Sequence, residues 1–519
     1  MIPAYLSHFI WAPAFAMVAF FPAMYAFEMV RHDKKWWIVA AVCFASVLLT
    51  HPTQAAKLSA FVAVYLGIKL LSSFVADRKS WLHNNMAGIK AAVLGALLSL
   101  FWWGFKWRVF VSKSTAGFRG GQEAATSAIQ KSPNIIAKFF SLITRALNPD
   151  SGTATRVYTF KDLAFATGRN MINNPVGLGF VVFLLMLAGL ASAVVSVAKF
   201  LPKPKISLIA AAVIVVIFTI IISSRTLDFQ NAFYQHDGHL RPQNWVNPPS
   251  YGGVFRISLV LVSIAAAFAL SVIALLSRKP DEPQRQRLVF ISILLGWLLF
   301  AFLGVNSKTF NLPIGLFAFR FWMVLAIPAA ILASEGFFAL LGAVSFFRLD
   351  SKSAATAKMV IIAIVVVGVL FTSAKAKYDV NTSCWPSGAF WSGSLVREPS
   401  SGCPVQSELL VYERLRDLPG NTKVFTLSQP DQVIGFDKFS CGWCDAEAGI
   451  RKRMETGNVS AQEIHAAMKD NGYDYLIIGG IEAKNYGFNQ TVSLINSIAQ
   501  SGLFTLVEQG EAAFIFRAA

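Results

Sequence analysis

The chain has 519 residues, of which 55% are hydrophobic, 13% aromatic and only 14% charged. Soluble globular domains carry about 25% charged residues, so this composition excludes an ordinary soluble protein. The formal net charge of +18 would suit a nucleic-acid-binding protein, but the basic residues lie in short clusters between apolar runs. That distribution is typical of the cytoplasmic loops of membrane proteins. We therefore expect no nucleic acid among the partners.

The apolar runs predict an α-helical polytopic membrane protein with about ten transmembrane helices. The predicted spans are 8–30, 36–50, 55–75, 88–112, 176–198, 206–223, 253–276, 288–305, 313–347 and 358–373. The ninth span is too long for one straight crossing. We expect it to tilt, break or continue as an interfacial helix after Glu335 and Gly336.

Basic residues fall on alternate connections between these spans. Short loops rich in Lys and Arg remain in the cytoplasm, so five connections are predicted to be cytoplasmic: 31–35, 77–79, 199–205, 278–287 and 348–352. The other connections and the N-terminus then face outward: 51–54, 113–175, 224–252, 306–312 and everything after about residue 374. We therefore divide the chain into a membrane domain, 1–373, and an extracytoplasmic domain, 374–519.

The composition of the tail predicts a small α/β domain. The segments 422–428 and 473–480 have the pattern of buried strands. The segment 460–472 has a Ser N-cap, a Glu three residues later and a terminal Gly, which together predict a helix. The chain ends in a predicted hairpin around Gly510.

Four of the five cysteines fall in the tail, which favours disulfides in an extracytoplasmic domain. The sequence favours pairing Cys384 with Cys403 and Cys441 with Cys444, although four cysteines allow three connectivities. A zinc site at the Cys-Gly-Trp-Cys segment is the alternative, but no second ligand pair lies at suitable spacing. Cys43 lies within a span and is expected to be an inert core residue.

Two clusters are candidates for binding a phosphate-bearing substrate. His51, Gln54 and Lys57 surround a turn that the topology places at the outer face; snorkelling side chains at a helix end are the alternative explanation. Arg320 stands inside the ninth span, about two turns below the outer loop. A buried arginine there suits a phosphate or pyrophosphate, or else forms a pair with a carboxylate.

The outer connections hold further candidates. The predicted loop 224–252 contains two candidate bases, Asp228 and Asp237, and a candidate substrate-binding residue, Arg241. His236, Asp237 and His239 are candidate metal ligands. The alternative is that the loop only forms a polar lid. The basic segment 113–175 contains Asp150 and Asp162, which are candidate bases by location alone. Such a segment also gathers anionic lipids or simply lies solvated on the membrane surface.

Three stretches resemble the GT-C superfamily of polyprenyl-phosphate-dependent glycosyltransferases, which includes oligosaccharyltransferase subunits and protein mannosyltransferases. The stretches are "LLTHPTQAAKLSAFVAVYLG", "FAFRFWMVLAIPAAILASEG" (317–336) and "LRDLPGNTKVFTLS…MKDNGYDYLIIGG". The resemblance implies a membrane glycosyltransferase that uses a polyprenyl-phosphate sugar donor and a glycan or protein acceptor. It also implies a divalent cation, Mg²⁺ or Mn²⁺, although no residue pattern fixes one.

Family members begin with a cytoplasmic N-terminus, one span and a large outward loop that bears the catalytic Asp. This chain has no such loop near its start, which we interpret as the absence of an odd number of leading spans, about three. The chain would then be a fragment, a sequence with a mis-assigned start or a divergent relative. Two alternatives remain: a non-catalytic membrane protein that binds lipid-linked glycan, and a lipid or glycan transporter.

Overall fold

A computed structural model of the chain describes most of its residues. The described ranges are 12–50, 52–105, 157–166, 168–169, 175–237, 250–277, 281–312, 320–348, 350–378, 406–427, 431–441, 444–454, 459–510 and 513–519. The chain divides into two compact units. We call Met1–Gly168 with Val176–Lys377 the helical unit, and Arg169–Pro175 with Tyr378–Ala519 the C-terminal unit.

The described part of the helical unit consists mainly of long apolar helices. They are α1 (Ala12–Met29), α2 (Trp36–Thr50), α3 (Pro52–Ala76), α4 (Trp81–Phe105), the short α5 (Phe160–Ala164), α6 (Phe180–Ala198), α7 (Pro204–Asp237), α8 (Tyr251–Ser277), α9 (Glu282–Val305), α10 (Phe321–Ala343) and α11 (Ser351–Val369). Eight of them are long and apolar enough to cross a membrane, whereas the apolar parts of α1 and α2 are shorter. Two short strands, β1 (Gly168–Arg169) and β2 (Pro175–Val176), pair with each other between α5 and α6.

The boundaries of the helices follow local sequence signals. Asp350 caps α11 by accepting hydrogen bonds from the backbone N–H groups of Lys352 and Ser353. Asp281 caps α9 in the same way through the N–H of Gln284. These side chains satisfy donors that the first turn of a helix leaves unpaired.

Helices α6 and α10 approach each other most closely at two glycines. A Cβ added to Gly189 would collide with the Leu332 carbonyl, and one added to Gly336 would collide with the Leu185 carbonyl. Small residues allow helix backbones to approach closely in apolar surroundings, where van der Waals packing drives association. Helix α10 continues through Gly336 to Ala343 and then tightens into a 3₁₀ turn over Val344–Phe347. The ninth predicted span therefore does not break at Glu335 and Gly336.

One end of the helical unit carries the basic connections. Arg31 Nη2 lies 3.7 Å from Glu282 Oε1, which brings the connection after α1 to the beginning of α9. Arg287 donates to Ser196 Oγ at 3.4 Å, which places the end of α6 there too. Three connections that the charge pattern assigns to one side of the membrane thus share one end of the bundle.

The opposite end gathers the connections that the topology assigns to the other side. Gln54 near the beginning of α3 contacts Met323 near the beginning of α10. Ser373, in the π-helical turn that follows α11, donates to the Leu178 carbonyl at 2.8 Å just before α6 begins. Helix α11 therefore ends at the same end of the unit as the start of α6.

One predicted boundary is wrong. Helix α7 runs to Asp237, so residues 224–237 form nearly four helical turns and not the first half of an outer loop. A stripe of uncharged polar side chains on one face of α7 is buried against the rest of the unit: Thr219, Ser223, Thr226 and Gln230. Their spacing of four, three and four residues is that of one helical face. Burial of this face continues the helix beyond the point where hydropathy falls.

The C-terminal unit has an α/β fold around a four-stranded sheet. Its strands are β3 (Val424–Thr426), β4 (Tyr475–Ile478), β5 (Phe504–Gln509) and β6 (Phe514–Ala518), in the order β3-β4-β6-β5. Strand β3 is parallel to β4, and the two other pairings are antiparallel. The described helices are α12 (Gln406–Glu413), α13 (Asp431–Gly435), α14 (Asp445–Met454), α15 (Ala461–Asp470), α16 (Gly480–Tyr486) and α17 (Phe488–Gln500).

The secondary-structure elements predicted for this unit are present in the structure. Both predicted strands and the terminal hairpin form, and Gly510 N–H donates to the Ala513 carbonyl at 2.8 Å. Ser460 and Glu463 form the capping box of α15. Cys441 and Cys444 form a disulfide as predicted. Cys384 and Cys403 lie outside the described residues, and Cys43 is a free, half-buried cysteine on α2.

Candidate functional site

Two buried polar side chains project from the first turns of α3. Gln54 and Lys57 are three residues apart and therefore share one face of the helix. Both side chains are 0% exposed. Gln54 Nε2 donates to Met323 Sδ at 3.9 Å, and Lys57 Nζ lies 4.4 Å from the centroid of the Phe321 ring. The beginning of α10 therefore covers this face of α3.

The Lys57 ammonium has an unusual environment. Within the described part of the chain, Lys57 Nζ and Gln54 Oε1 have no hydrogen-bond partner. Arg320 directly precedes Phe321, whose ring covers Lys57, and so brings a second basic residue to this end of α10. The Phe321 ring offers a cation–π contact, which is worth about 2 kcal/mol when desolvated. That is less than the several kcal/mol needed to bury an ammonium group.

Lys69 on the same helix gives a useful contrast. Its Nζ lies 2.9 Å from Glu28 Oε2, and the Tyr65 hydroxyl donates to the same carboxylate at 2.6 Å. The more accessible lysine of α3 thus has a carboxylate partner, whereas no described carboxylate forms an ion pair with Lys57. We call Gln54, Lys57, Arg320 and Phe321 the Lys57 site.

Arg320 lies closer to the helix end than expected. It is the half-buried N-cap residue of α10 and does not stand two turns inside the helix. Its position still brings it to Lys57, because α3 and α10 both begin at this end of the unit. The structure therefore brings together three of the five predicted substrate-binding residues. The other two, His51 and Arg241, lie outside the described residues.

A buried polar turn after α9 forms the second half of this region. Asn306, Ser307, Lys308 and Thr309 are each no more than 7% exposed. Gly304 lies against the Phe321 ring with no room for a Cβ, so this turn begins next to the Lys57 site. Asn306 Oδ1 and Ser307 Oγ have no hydrogen-bond partner among the described residues.

Hydrogen bonds tie this turn to two other segments. Tyr158 N–H donates to Thr309 Oγ1 at 3.1 Å, and the Thr309 hydroxyl lies 3.2 Å from the Tyr158 carbonyl. Gln230 Nε2 donates to the Thr309 carbonyl at 3.0 Å. The Tyr158 ring meets the Trp322 ring edge to face at 5.3 Å. The beginnings of α3 and α10 and the end of α9 are thereby connected to α7 and to the segment before α5.

Hydropathy and charge mark 306–312 only as a short outward loop, and so this buried polar turn was not predicted. The available signal was the density of polar residues in "NSKT" directly after an apolar helix. Below the site the packing is aromatic. Phe321 meets Phe300 at 5.6 Å, and Phe61 stacks on Trp297 at 4.8 Å. Such apolar surroundings lower the local dielectric and strengthen any charge interaction.

The candidate bases are dispersed. The Asp162 carboxylate accepts hydrogen bonds from the Thr159 N–H and hydroxyl, both at 2.8 Å, and so forms the capping box of α5. The capping role accounts for this carboxylate without any chemistry. Asp228 is exposed on α7. The remaining candidates, Asp150 and the side chains of His236, Asp237 and His239, fall outside the description.

The described residues hold no group of three or more His, Cys, Asp and Glu side chains able to bind a metal ion. What the described site supplies is the amino group of Lys57 and the guanidinium of Arg320, with neutral hydrogen-bonding groups beside them. Such a set suits an anion better than a cation.

The fold and the site together define a multi-pass helical membrane protein with a buried cationic site at one end of its bundle. Comparison of the sequence with known families gives no matching family model, and comparison with curated proteins gives no significant match.

Proposed function

We propose that this protein is a GT-C-like glycosyltransferase that binds the phosphate of a polyprenyl-phosphate sugar at the Lys57 site. The observation that carries the proposal is the fully buried Lys57 side chain, whose Nζ lies over the Phe321 ring, next to Arg320 in the sequence, and has no hydrogen-bond partner among the described residues. A buried ammonium group without a hydrogen-bond partner is stabilised by an anion. A phosphate ester on a lipid reaches such a site from the side, between helices.

The proposed reaction requires stabilisation of a leaving phosphate. The acceptor oxygen forms the new bond to the anomeric carbon while the bond from that carbon to the phosphate oxygen breaks. The electron pair of the broken bond leaves with the polyprenyl phosphate. Lys57 and Arg320 would stabilise this developing charge, and stabilisation of developing charge is usually the largest single contribution to catalysis. The acceptor hydroxyl releases its proton to water as its oxygen bonds to the anomeric carbon, and we assign no described residue as the base.

Neutral groups near the site suit the sugar. Gln54 Oε1, Asn306 Oδ1, Ser307 Oγ and Trp322 Nε1 are buried and have no hydrogen-bond partner within the described ranges. Together they supply acceptors and donors for sugar hydroxyls. We place this end of the helical unit on the extracytoplasmic side, because the basic connections lie at the other end and because a disulfide-bearing unit follows α11.

The proposal is tested by binding of undecaprenyl phosphate to the full chain in nanodiscs. Lys57→Met removes the charge with little change in volume, and we expect it to weaken binding by about tenfold or more, since a hydrogen bond to a charged group is worth about 1.5–3 kcal/mol. Lys90→Met is the matched control, because Lys90 is an exposed lysine on the membrane helix α4. Undecaprenol, which lacks the phosphate, should bind wild type and Lys57→Met equally.

Unchanged binding in Lys57→Met would refute the phosphate site. Binding without transfer of a radiolabelled sugar from its polyprenyl-phosphate donor would instead support the alternative, a non-catalytic protein that binds lipid-linked glycan. The same buried lysine supports that alternative, and only the transfer measurement separates the two.

A further inference from the structure

The face of α17 in the C-terminal unit has an unusual composition. From Gly487 to Val507 the chain has no charged residue, although the whole sequence contains 46 Lys and Arg and 28 Asp and Glu. Exposed helix faces of soluble domains ordinarily carry charged side chains. Helix α17 presents amides and hydroxyls instead.

These side chains line a groove of about 590 Å³ beside the beginning of α15. Asn489, Ser493, Asn496 and Gln500 recur at helical spacing and therefore lie on one face of α17. Gln462, from the first turn of α15, faces the same groove. The opposite face of α17 is buried through Thr491, Leu494 and Ile498, so the orientation of the helix is fixed by its core contacts.

The polar groups of the groove are available to a ligand. Among the described residues, none of these five side chains forms a hydrogen bond with the protein, and each is exposed. Amide side chains both donate and accept hydrogen bonds, and hydroxyls do the same. Phe488, which is 56% exposed, adds an aromatic face at the first residue of α17.

We propose that this groove binds a neutral oligosaccharide. The absence of charge along α17 disfavours phosphates and charged peptides, whereas a sugar offers hydroxyls to the amides and a C–H face to the ring. The choice of a glycan over another neutral ligand rests on the proposed glycosyl transfer, and it makes the C-terminal unit a holder of the acceptor or product glycan.

The test measures binding of neutral pentasaccharides of glucose, mannose, galactose, arabinose and N-acetylglucosamine to the full chain in nanodiscs by calorimetry. We expect at least one of them to bind the wild type, and the double variant Phe488→Ala, Asn496→Ala to weaken that binding by about tenfold or more. Phe439→Ala and Gln509→Ala form the matched control, since both residues are exposed in the same unit and lie outside the groove.

The readouts separate this inference from the transferase proposal. The double variant should bind undecaprenyl phosphate like the wild type, and Lys57→Met should bind the pentasaccharide like the wild type. Absence of binding by every pentasaccharide, or binding that the double variant leaves unchanged, would overturn the glycan groove. The proposal would also be overturned if the chain associates with itself, binds no sugar, and the double variant weakens that association. The exposed face of α17 would then be a contact between protein chains.

Discussion

Lys57 is the residue on which the functional account depends. The sequence places a lysine shortly after a predicted turn, where a long side chain ordinarily reaches the membrane surface. The structure instead buries it beneath Phe321, a residue more than 260 positions away. Hydropathy and helical spacing describe one segment at a time. They cannot report a contact between the beginnings of α3 and α10.

If Lys57 serves ligand binding, its buried charge should reduce the stability of the ligand-free protein. Replacing a buried charge by an apolar side chain of similar volume is commonly neutral or stabilising by about 1–4 kcal/mol. We therefore expect Lys57→Met to raise the unfolding temperature of ligand-free protein in detergent, while it removes phosphate binding. Thermal unfolding followed by intrinsic tryptophan fluorescence measures the change.

Lys69→Met provides the contrast on the same helix. Because Lys69 pairs with Glu28, its loss leaves a half-exposed carboxylate without that partner and should lower the unfolding temperature. A Lys57→Met protein that is destabilised as strongly as Lys69→Met would mean that Lys57 has a structural partner and is not kept for a ligand.

At the scale of elements, the sequence predicts most helices because apolar length and periodicity dominate in a membrane. A helix forms at each of the ten predicted spans, and eight of these helices meet the length and hydropathy of a crossing. The error at residue 224 has a physical cause: the polar stripe of α7 is buried against protein and not exposed to water. Hydropathy averages over all faces of a helix and misses this pattern.

The crossing of α6 and α10 yields a paired prediction. Ala favours helix more than Gly by about 0.5–1 kcal/mol, so Gly342→Ala, whose Cβ meets no atom within 4 Å, should be neutral or slightly stabilising. Gly336→Ala drives a methyl group into the Leu185 carbonyl and should destabilise by about 1–3 kcal/mol. Unfolding temperatures of both variants in the same detergent measure the difference. Equal effects at the two glycines would contradict the close helix crossing.

The capping box of α15 gives a pH-dependent prediction. Hydrogen bonds from the Ser460 backbone and the nearby Arg453 guanidinium lower the pKa of Glu463 below its ordinary value. A carboxyl whose pKa is lowered by folding contributes stability above its unfolded pKa of about 4.3, and this contribution disappears as the pH falls through the folded value. The unfolded protein takes up the proton first, so acid favours opening.

We expect Glu463→Gln to reduce hydrogen-exchange protection of α15 at pH 7, and we expect the difference from the wild type to shrink as the pH falls through the lowered pKa of Glu463. Mass spectrometry of peptides that cover Ala461–Asp470 measures protection in both proteins at each pH. Protection that differs equally at pH 7 and pH 3 would show that the ionised carboxylate is not responsible.

At the scale of the whole molecule, the two ends of the helical bundle hold different sets of connections. The charge pattern predicts which connections share a side, and the structure groups them accordingly: Arg31 meets Glu282 at one end, while Lys57 meets Phe321 at the other. Alternation along the chain is enough to predict this grouping, because each crossing reverses the side. The sequence could not reveal that the buried polar turn and the Lys57 site lie side by side.

The most direct test of the account is the side of the membrane on which the C-terminal unit lies. In a Cys43→Ser background, Lys34→Cys and Asp470→Cys are labelled in intact cells with a membrane-impermeant maleimide, and the parent protein gives the background from the remaining cysteines. The account predicts labelling above that background at position 470 in intact cells, and at position 34 only after the membrane is opened. Labelling of position 34 in intact cells, with position 470 protected until lysis, would contradict the extracytoplasmic placement and the glycosyl transfer proposed from it.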